Sequence, residues 1–177
     1  MARSLTSRVY VLALVLMLVG TGGVLVRRLV AGDPVPAPPA DVGVVVDVVD
    51  GDTIDVEIDG STERVRLIGI DTPEVAHDDG SPAECFGPEA LDFTRSVLPP
   101  GTEVRLTRDV VGRDDYGRLL AYVYRRDDGT FVNLAVIAGG FATPLSIAPN
   151  EAHRGEFVAA ARDAEAADLG LWAACAG

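Results

Sequence analysis

Residues 43–70 read GVVVDVVDGDTIDVEIDGSTERVRLIGI, and this stretch decides the fold. Positions 43–49 are a run of β-branched residues, whose stiff side chains favour an extended backbone. Asp50-Gly51-Asp52 interrupts the run with a turn signal. Thr53–Ile58 alternates apolar and polar positions, the period of a half-buried strand. Asp59-Gly60 tolerates positive φ and closes a tight hairpin. Residues 64–70 read as a third strand, with Val65, Leu67 and Gly69 on one face and Arg64, Arg66 and Ile68 on the other. Three strands joined by short turns make a meander.

Working downstream, residues 71–86 form a polar loop rich in Asp, Gly and Pro. Pro88 suits a first helical turn, so a helix is expected over 89–97, with Leu91, Thr94 and Leu98 on one face, ending at Pro99-Pro100-Gly101. Residues 103–108 and Leu119–Arg125 read as two more strands. A short helix over Val132–Ala138 stops at Gly139-Gly140, and a last helix over 151–168 turns Phe157, Ala160, Ala161 and Ala164 inward. Five strands, a helix between the third and fourth, and C-terminal helices predict an α+β domain built on a five-stranded OB-fold β-barrel.

Upstream, Arg3 and Arg8 precede an uncharged apolar run over 9–26, and Arg27 and Arg28 follow it. This is expected to be an export signal or a membrane anchor, residues 1–32, with release after cleavage and retention both open. Residues 33–41, with PVPAPPA at 34–40, form a Pro-rich linker that holds an extended course and spans roughly 20 Å. The folded domain is then 42–177, and a chain of 177 residues has room for no second one. A monomer is expected, secreted or held on the cell envelope.

The 15 basic residues are all arginine, which fits either a GC-rich genome or a salt-adapted lineage. Residues 33–177 hold all 27 acidic residues but only 11 arginines, a net charge of −16. Such a domain is not a default nucleic-acid binder, since phosphates attract positive charge, unless a divalent cation reverses the local sign. The two cysteines, Cys85 and Cys175, have neither zinc-site nor CxxC spacing. In an exported chain an even count implies a disulfide closing a 90-residue loop; two separate thiols are the alternative.

Charges gather at the strand ends. Asp50 and Asp52 flank the first turn, and Asp71, Thr72 and Glu74 follow the third strand in IDTPE. Carboxylates and a backbone carbonyl are hard oxygen ligands that suit calcium or magnesium. Arg66 lies on the third strand, and Arg118 follows Tyr116-Gly117 at the start of a later one. A guanidinium grips two phosphate oxygens at once and stays charged. Taken singly, each of these is an ordinary turn aspartate or strand arginine.

Together, VVDGDTIDV, RVRLIGIDTPE, CFGPEA, RDDYGRLLAYVY and GLW follow in an order and spacing that resembles the staphylococcal nuclease (thermonuclease) family, over residues 44–172. The resemblance implies an endonuclease that cleaves DNA and RNA with Ca2+ and leaves 3′-phosphates. It implies that Asp52 and Asp71 bind calcium by side chain and Thr72 by its carbonyl, with Asp50 and Glu74 just behind. Arg66 and Arg118 would hold the scissile phosphate, Glu74 would be the general base, and Tyr116 would lie against the nucleotide. Two departures stand out: Asp115 replaces a lysine of the family's best-known member, and residues 143–150 (TPLSIAPN) lack that member's pair of tyrosines. Base stacking is therefore expected to be weaker. Phe141 reads as core or as a substitute stacking ring, Trp172 as packing, and His77 and His153 as surface or capping residues. The competing reading is an inactive nuclease-like OB-fold module that binds a ligand on the cell envelope. A sugar- or peptide-binding OB module would not need these carboxylates and arginines.

Overall fold

The computed structural model describes residues 40–76 and 80–175. The apolar stretch 9–26, the rest of segment 1–32, most of the linker 33–41 and His77 lie outside them. Among the described residues, no helix is long and apolar enough to cross a membrane.

The valine-rich run forms β1 (Ala40–Asp50), which pairs with β2 (Thr53–Ile58), and β2 pairs with β3 (Ser61–Leu67). Strict alternation would not bury both Val45 and Val48, which lie three apart, yet both are buried. Irregularities in the β1–β2 register between Val45 and Asp47 and between Val48 and Asp50 resolve this, each re-aiming the chain as a bulge does. The second also turns Asp50 and Asp52 into the protein, where they are buried. Asp59 and Gly60 take φ of 50° and 80° and close the β2–β3 hairpin as expected.

Five strands close a barrel in the order β1-β2-β3-β6-β5, with β5 Glu103–Thr107 and β6 Leu119–Arg125. The β3–β6 pair is parallel and the others antiparallel. Inside lie Val45, Val48, Ile54, Val56, Val65, Leu67 and their partners from β5 and β6. The OB-fold expectation therefore holds.

The third strand needs correction. It ends at Leu67, and the chain resumes as β4 (Gly69–Asp71) in a separate two-stranded sheet with β7 (Thr143–Leu145), a strand the sequence reading missed. Gly69 makes the break: its φ is +87°, and a Cβ there would stand 2.3 Å from the Phe157 ring. The buried Asn133 amide bridges the junction, donating to Ile68 O (2.9 Å) and accepting from Val123 N (2.9 Å). Asp71, at the end of β4, is thereby fixed by pairing with Thr143.

Among the described residues, four helices pack around these sheets: α1 Gly87–Val97, α2 Val132–Ala138, α3 Arg154–Ala166 and α4 Leu171–Ala174. Thr94 of α1 is buried, and its hydroxyl donates to Gly51 O at 2.7 Å, tying the helix to the first turn. α3 is shorter than the expected 151–168 and buries Phe157, Ala161 and Ala164, while Ala160 is only partly covered. Phe141 stacks on Phe93 at 4.1 Å between ring centres, which is the packing reading. His153 precedes α3 and pairs with Glu156 at 2.8 Å.

Candidate active site

The first turn places two carboxylates inside the protein, and each finds donors. Asp50 Oδ1 accepts from Gly51 N at 2.7 Å. Asp52 Oδ1 accepts from the Thr53 hydroxyl at 3.2 Å, and Asp52 Oδ2 from Thr72 N at 3.0 Å. That last bond joins the β1–β2 turn to the segment after β4, so Asp52 and Thr72 meet across 20 residues of chain.

Arg66 stands opposite Thr53 in the β2–β3 ladder. Its guanidinium pairs with Asp52 through Nη1 and with Asp71 Oδ1 through Nη2 at 2.9 Å. Burial pulls its pKa below the ordinary arginine value, while the carboxylates of Asp71 and Glu74 oppose that and Arg118 adds repulsion. An arginine still stays charged in such surroundings. The repulsion also places Arg118 within electrostatic reach of Arg66.

Asp50 is pushed up to about 6, first by burial and then by a hydrogen bond and repulsion from Glu74. A neighbouring carboxylate disfavours the ionised form of Asp50, which is why Glu74 adds to the effect of burial. The rim thus gathers Asp50, Asp52, Asp71 and Glu74 about a single buried cation, Arg66.

This donor set fits a hard divalent cation. Every candidate ligand is oxygen, the negative charge exceeds what Arg66 offsets, and Thr72 Oγ1 is buried without a hydrogen-bond partner. No preformed cage of three or more carboxylate, histidine or cysteine side chains occurs among the described residues, since Arg66 bridges Asp52 and Asp71 itself.

Arg118 is set by Asp114 in a tight turn. Asp114 Oδ1 accepts from the backbone N–H of Tyr116 (3.0 Å) and Arg118 (2.9 Å), and Oδ2 accepts from Arg118 Nε at 2.7 Å. The Arg118 guanidinium lies 5.5 Å from the centre of the Tyr116 ring, which is 87% exposed.

Arg66, Arg118 and Tyr116 line one cleft of about 390 Å³, with Asp115, Leu145 and Ile147 completing its walls. Asn150 braces it, accepting from Val111 N and donating to Val111 O, both at 2.8 Å. The sequence reading missed Leu145, Ile147 and Asn150. It noted the absence of tyrosines in TPLSIAPN but not that Leu145 and Ile147, two apart, would share the cleft side.

Cys85 and Cys175 are joined in a disulfide, so the paired alternative is the one observed. Asp52, Arg66, Asp71 and Thr72 come together directly; Asp50 and Glu74 join them as a pair, and Arg118 and Tyr116 face the same cleft. Trp172 Nε1 is buried without a hydrogen-bond partner.

Residues 64–174 match the family model described as staphylococcal nuclease homologue. A thermonuclease of Staphylococcus intermedius is 38% identical over 125 residues, covering 71% of this chain and 72% of that protein. A thermonuclease of Staphylococcus hyicus is 35% identical over 128 residues, 72% of this chain and 73% of that protein. Endonuclease YhcR of Bacillus subtilis is 35% identical over 149 residues, which are 77% of this chain but 12% of that protein.

Proposed function

Because the chain belongs to the staphylococcal nuclease family, we propose that it is a calcium-dependent endonuclease acting on DNA and RNA outside the cytosol. The observation that carries this reading is the pairing of Asp52 and Asp71 with Arg66, which itself lines a cleft together with Arg118 and Tyr116. Asp52 and Asp71 would hold calcium by their carboxylates and Thr72 by its carbonyl, with Asp50 and Glu74 beside them. When bound, the cation supplies positive charge against a reacting phosphate.

The remaining chemistry belongs to side chains. Arg66 and Arg118 grip phosphate oxygens and stabilise the charge that builds as phosphorus becomes five-coordinate. Glu74 takes a proton from the attacking water. The bond to the 5′ oxygen breaks, and the phosphate stays on the 3′ side. Tyr116, exposed and next to Arg118, lies against the nucleotide. The inactive-module reading is not favoured, since degenerate domains lose such carboxylates and arginines first, and here all are retained.

Export is supported by the Cys85–Cys175 disulfide, a bond that persists in oxidising compartments, and by the apolar stretch 9–26 between arginines. Whether that stretch is cleaved or kept as an anchor is an N-terminal sequencing question. The activity is tested on closed circular DNA, which has no ends. The expected result is nicking and linearisation with calcium, leaving termini that a polymerase extends only after phosphatase treatment. Intact circles, or termini extended without phosphatase, would refute the assignment.

A further inference from the structure

We propose that Glu84 and the Cys85–Cys175 disulfide form a clamp that positions Glu74, so that opening the disulfide slows turnover. The proposal rests on the reading of Glu74 as general base.

Glu74 follows β4 on an exposed loop, and its carboxylate meets Asp50 through a hydrogen bond. Where that carboxylate is presented depends on its backbone, which Glu84 holds. Glu84 N donates to Glu74 O at 2.9 Å, and Glu74 N donates to Glu84 Oε2 at 3.2 Å. Gly87 completes the grip: a Cβ there would stand 2.2 Å from Glu74 O, so only glycine lets the two backbones approach. Gly87 N donates to Glu84 O at 3.1 Å, which joins the clamp to the start of α1.

The disulfide lands on the next residue. Cys85 is bonded to Cys175, 90 residues on, with their Cα atoms 6.0 Å apart. The far end is itself tied down. Cys175 N donates to Leu171 O (2.9 Å), and Leu171 N donates to Gly140 O (2.8 Å), just beyond α2. Beside the bridge, Phe86 stacks on Phe141 at 5.5 Å. A covalent line thus runs from the packed C-terminal segment to the pair of residues that fixes Glu74. A base must be pre-organised to act, and an ångström of misplacement costs about 100-fold in rate.

Cys85 is exposed, so a small dithiol reaches it. The dithiol attacks one sulfur, the Cys85–Cys175 bond breaks, two thiols form, and the reagent closes to its own cyclic disulfide. Two electrons and two protons pass from reagent to protein.

The test uses the full chain and a defined single-stranded oligonucleotide with saturating calcium, measuring kcat and KM. Variants are Cys85→Ser with Cys175→Ser, Glu84→Ala, Glu84→Gln and Glu74→Gln, all melted to confirm folding at the assay temperature. Removal of the cysteines and Glu84→Ala should each lower kcat by about 10- to 100-fold with KM within a factor of two. Glu84→Gln, which keeps an acceptor for Glu74 N, should restore most of it. Dithiothreitol should slow the wild type and leave the cysteine-free variant unchanged. In a Glu74→Gln background, the cysteine substitutions should have no further effect on kcat.

Wild-type kcat in either Glu84→Ala or the cysteine-free variant overturns the clamp while leaving the base reading intact. An equal fall in the Glu74→Gln background also overturns it, since the bridge would then act by another route. Near-full activity of Glu74→Gln by itself removes the base reading, and the clamp with it.

Discussion

The carboxylate rim around Arg66 and the outer side of the cleft that Arg66 lines are built by opposite rules. Asp50, Asp52, Arg66 and Asp71 come from neighbouring strands and turns of the barrel, and Arg66 is only 15% exposed between its carboxylate partners. The outer side of the cleft is carried on loops and a short strand, with Tyr116 at 87%, Ile147 at 68% and Leu145 at 39% exposure. Ladder pairing and bulges fix the rim, so a change there disturbs the fold with the chemistry. The outer side varies while the barrel stands. Arg118 apart, the difference separates two properties: the proposed reaction rests on the scaffold, and grip on substrate on the loops.

The sharpest way to break this comparison is Arg118→Ala. Arg118 is the charged group proposed for the chemistry on the loop side, and its loss should cut kcat/KM by about 1000-fold, the scale of a removed transition-state donor. Steady-state kinetics on a defined oligonucleotide would check it. A fall below tenfold would move Arg118 out of the chemistry.

Asp114→Ala should follow with a loss of about 10- to 100-fold, because Asp114 sets the Arg118 side chain and the turn before it. Burial pushes the Asp114 carboxyl up, but hydrogen bonds from the Arg118 side chain and from the backbone of Arg118 and Tyr116 hold it below the usual range. A folded pKa below the unfolded one stabilises the protein above about pH 4 and loses that contribution as pH falls through the folded value. The stability gap between wild type and Asp114→Ala should therefore close only in acid, as denaturant melts across pH would read.

Much of the rim was legible in the sequence because its residues lie at the ends of strands whose period is plain. Thr53–Ile58 alternates cleanly, and the β2–β3 turn and Arg66 follow from it. Illegible were features that depend on distant partners. The break at Ile68 needs Phe157 pressed on Gly69, and β7 exists only because β4 offers it a pairing edge. A three-residue strand containing Pro144 carries no periodic signal of its own. The bulges in β1 hide in a run where nearly every residue is valine, so its inward set could not be picked out in advance.

On the loop wall, Ile147→Tyr should lower KM about tenfold with kcat unchanged, since an aromatic ring under a base is worth about 1–3 kcal/mol. A change in kcat instead would mean that Ile147, and not Arg118 alone on this side, bears on the chemistry. Asp115→Lys should produce the smallest effect, a few-fold fall in KM at low salt. Near 1 M salt, where charges are screened within about 3 Å, the gain should vanish. A gain that survives high salt would point to a direct contact rather than to attraction across the cleft of an acidic domain.

The central claim is that the crowded carboxylates of the rim serve a divalent cation. The most direct measurement follows cleavage of single-stranded and duplex DNA by the full chain with calcium, with magnesium, and with chelator. The account predicts cleavage with calcium that stops on chelation and returns when calcium is restored. Undiminished cleavage in excess chelator, or none with any divalent ion, would contradict it.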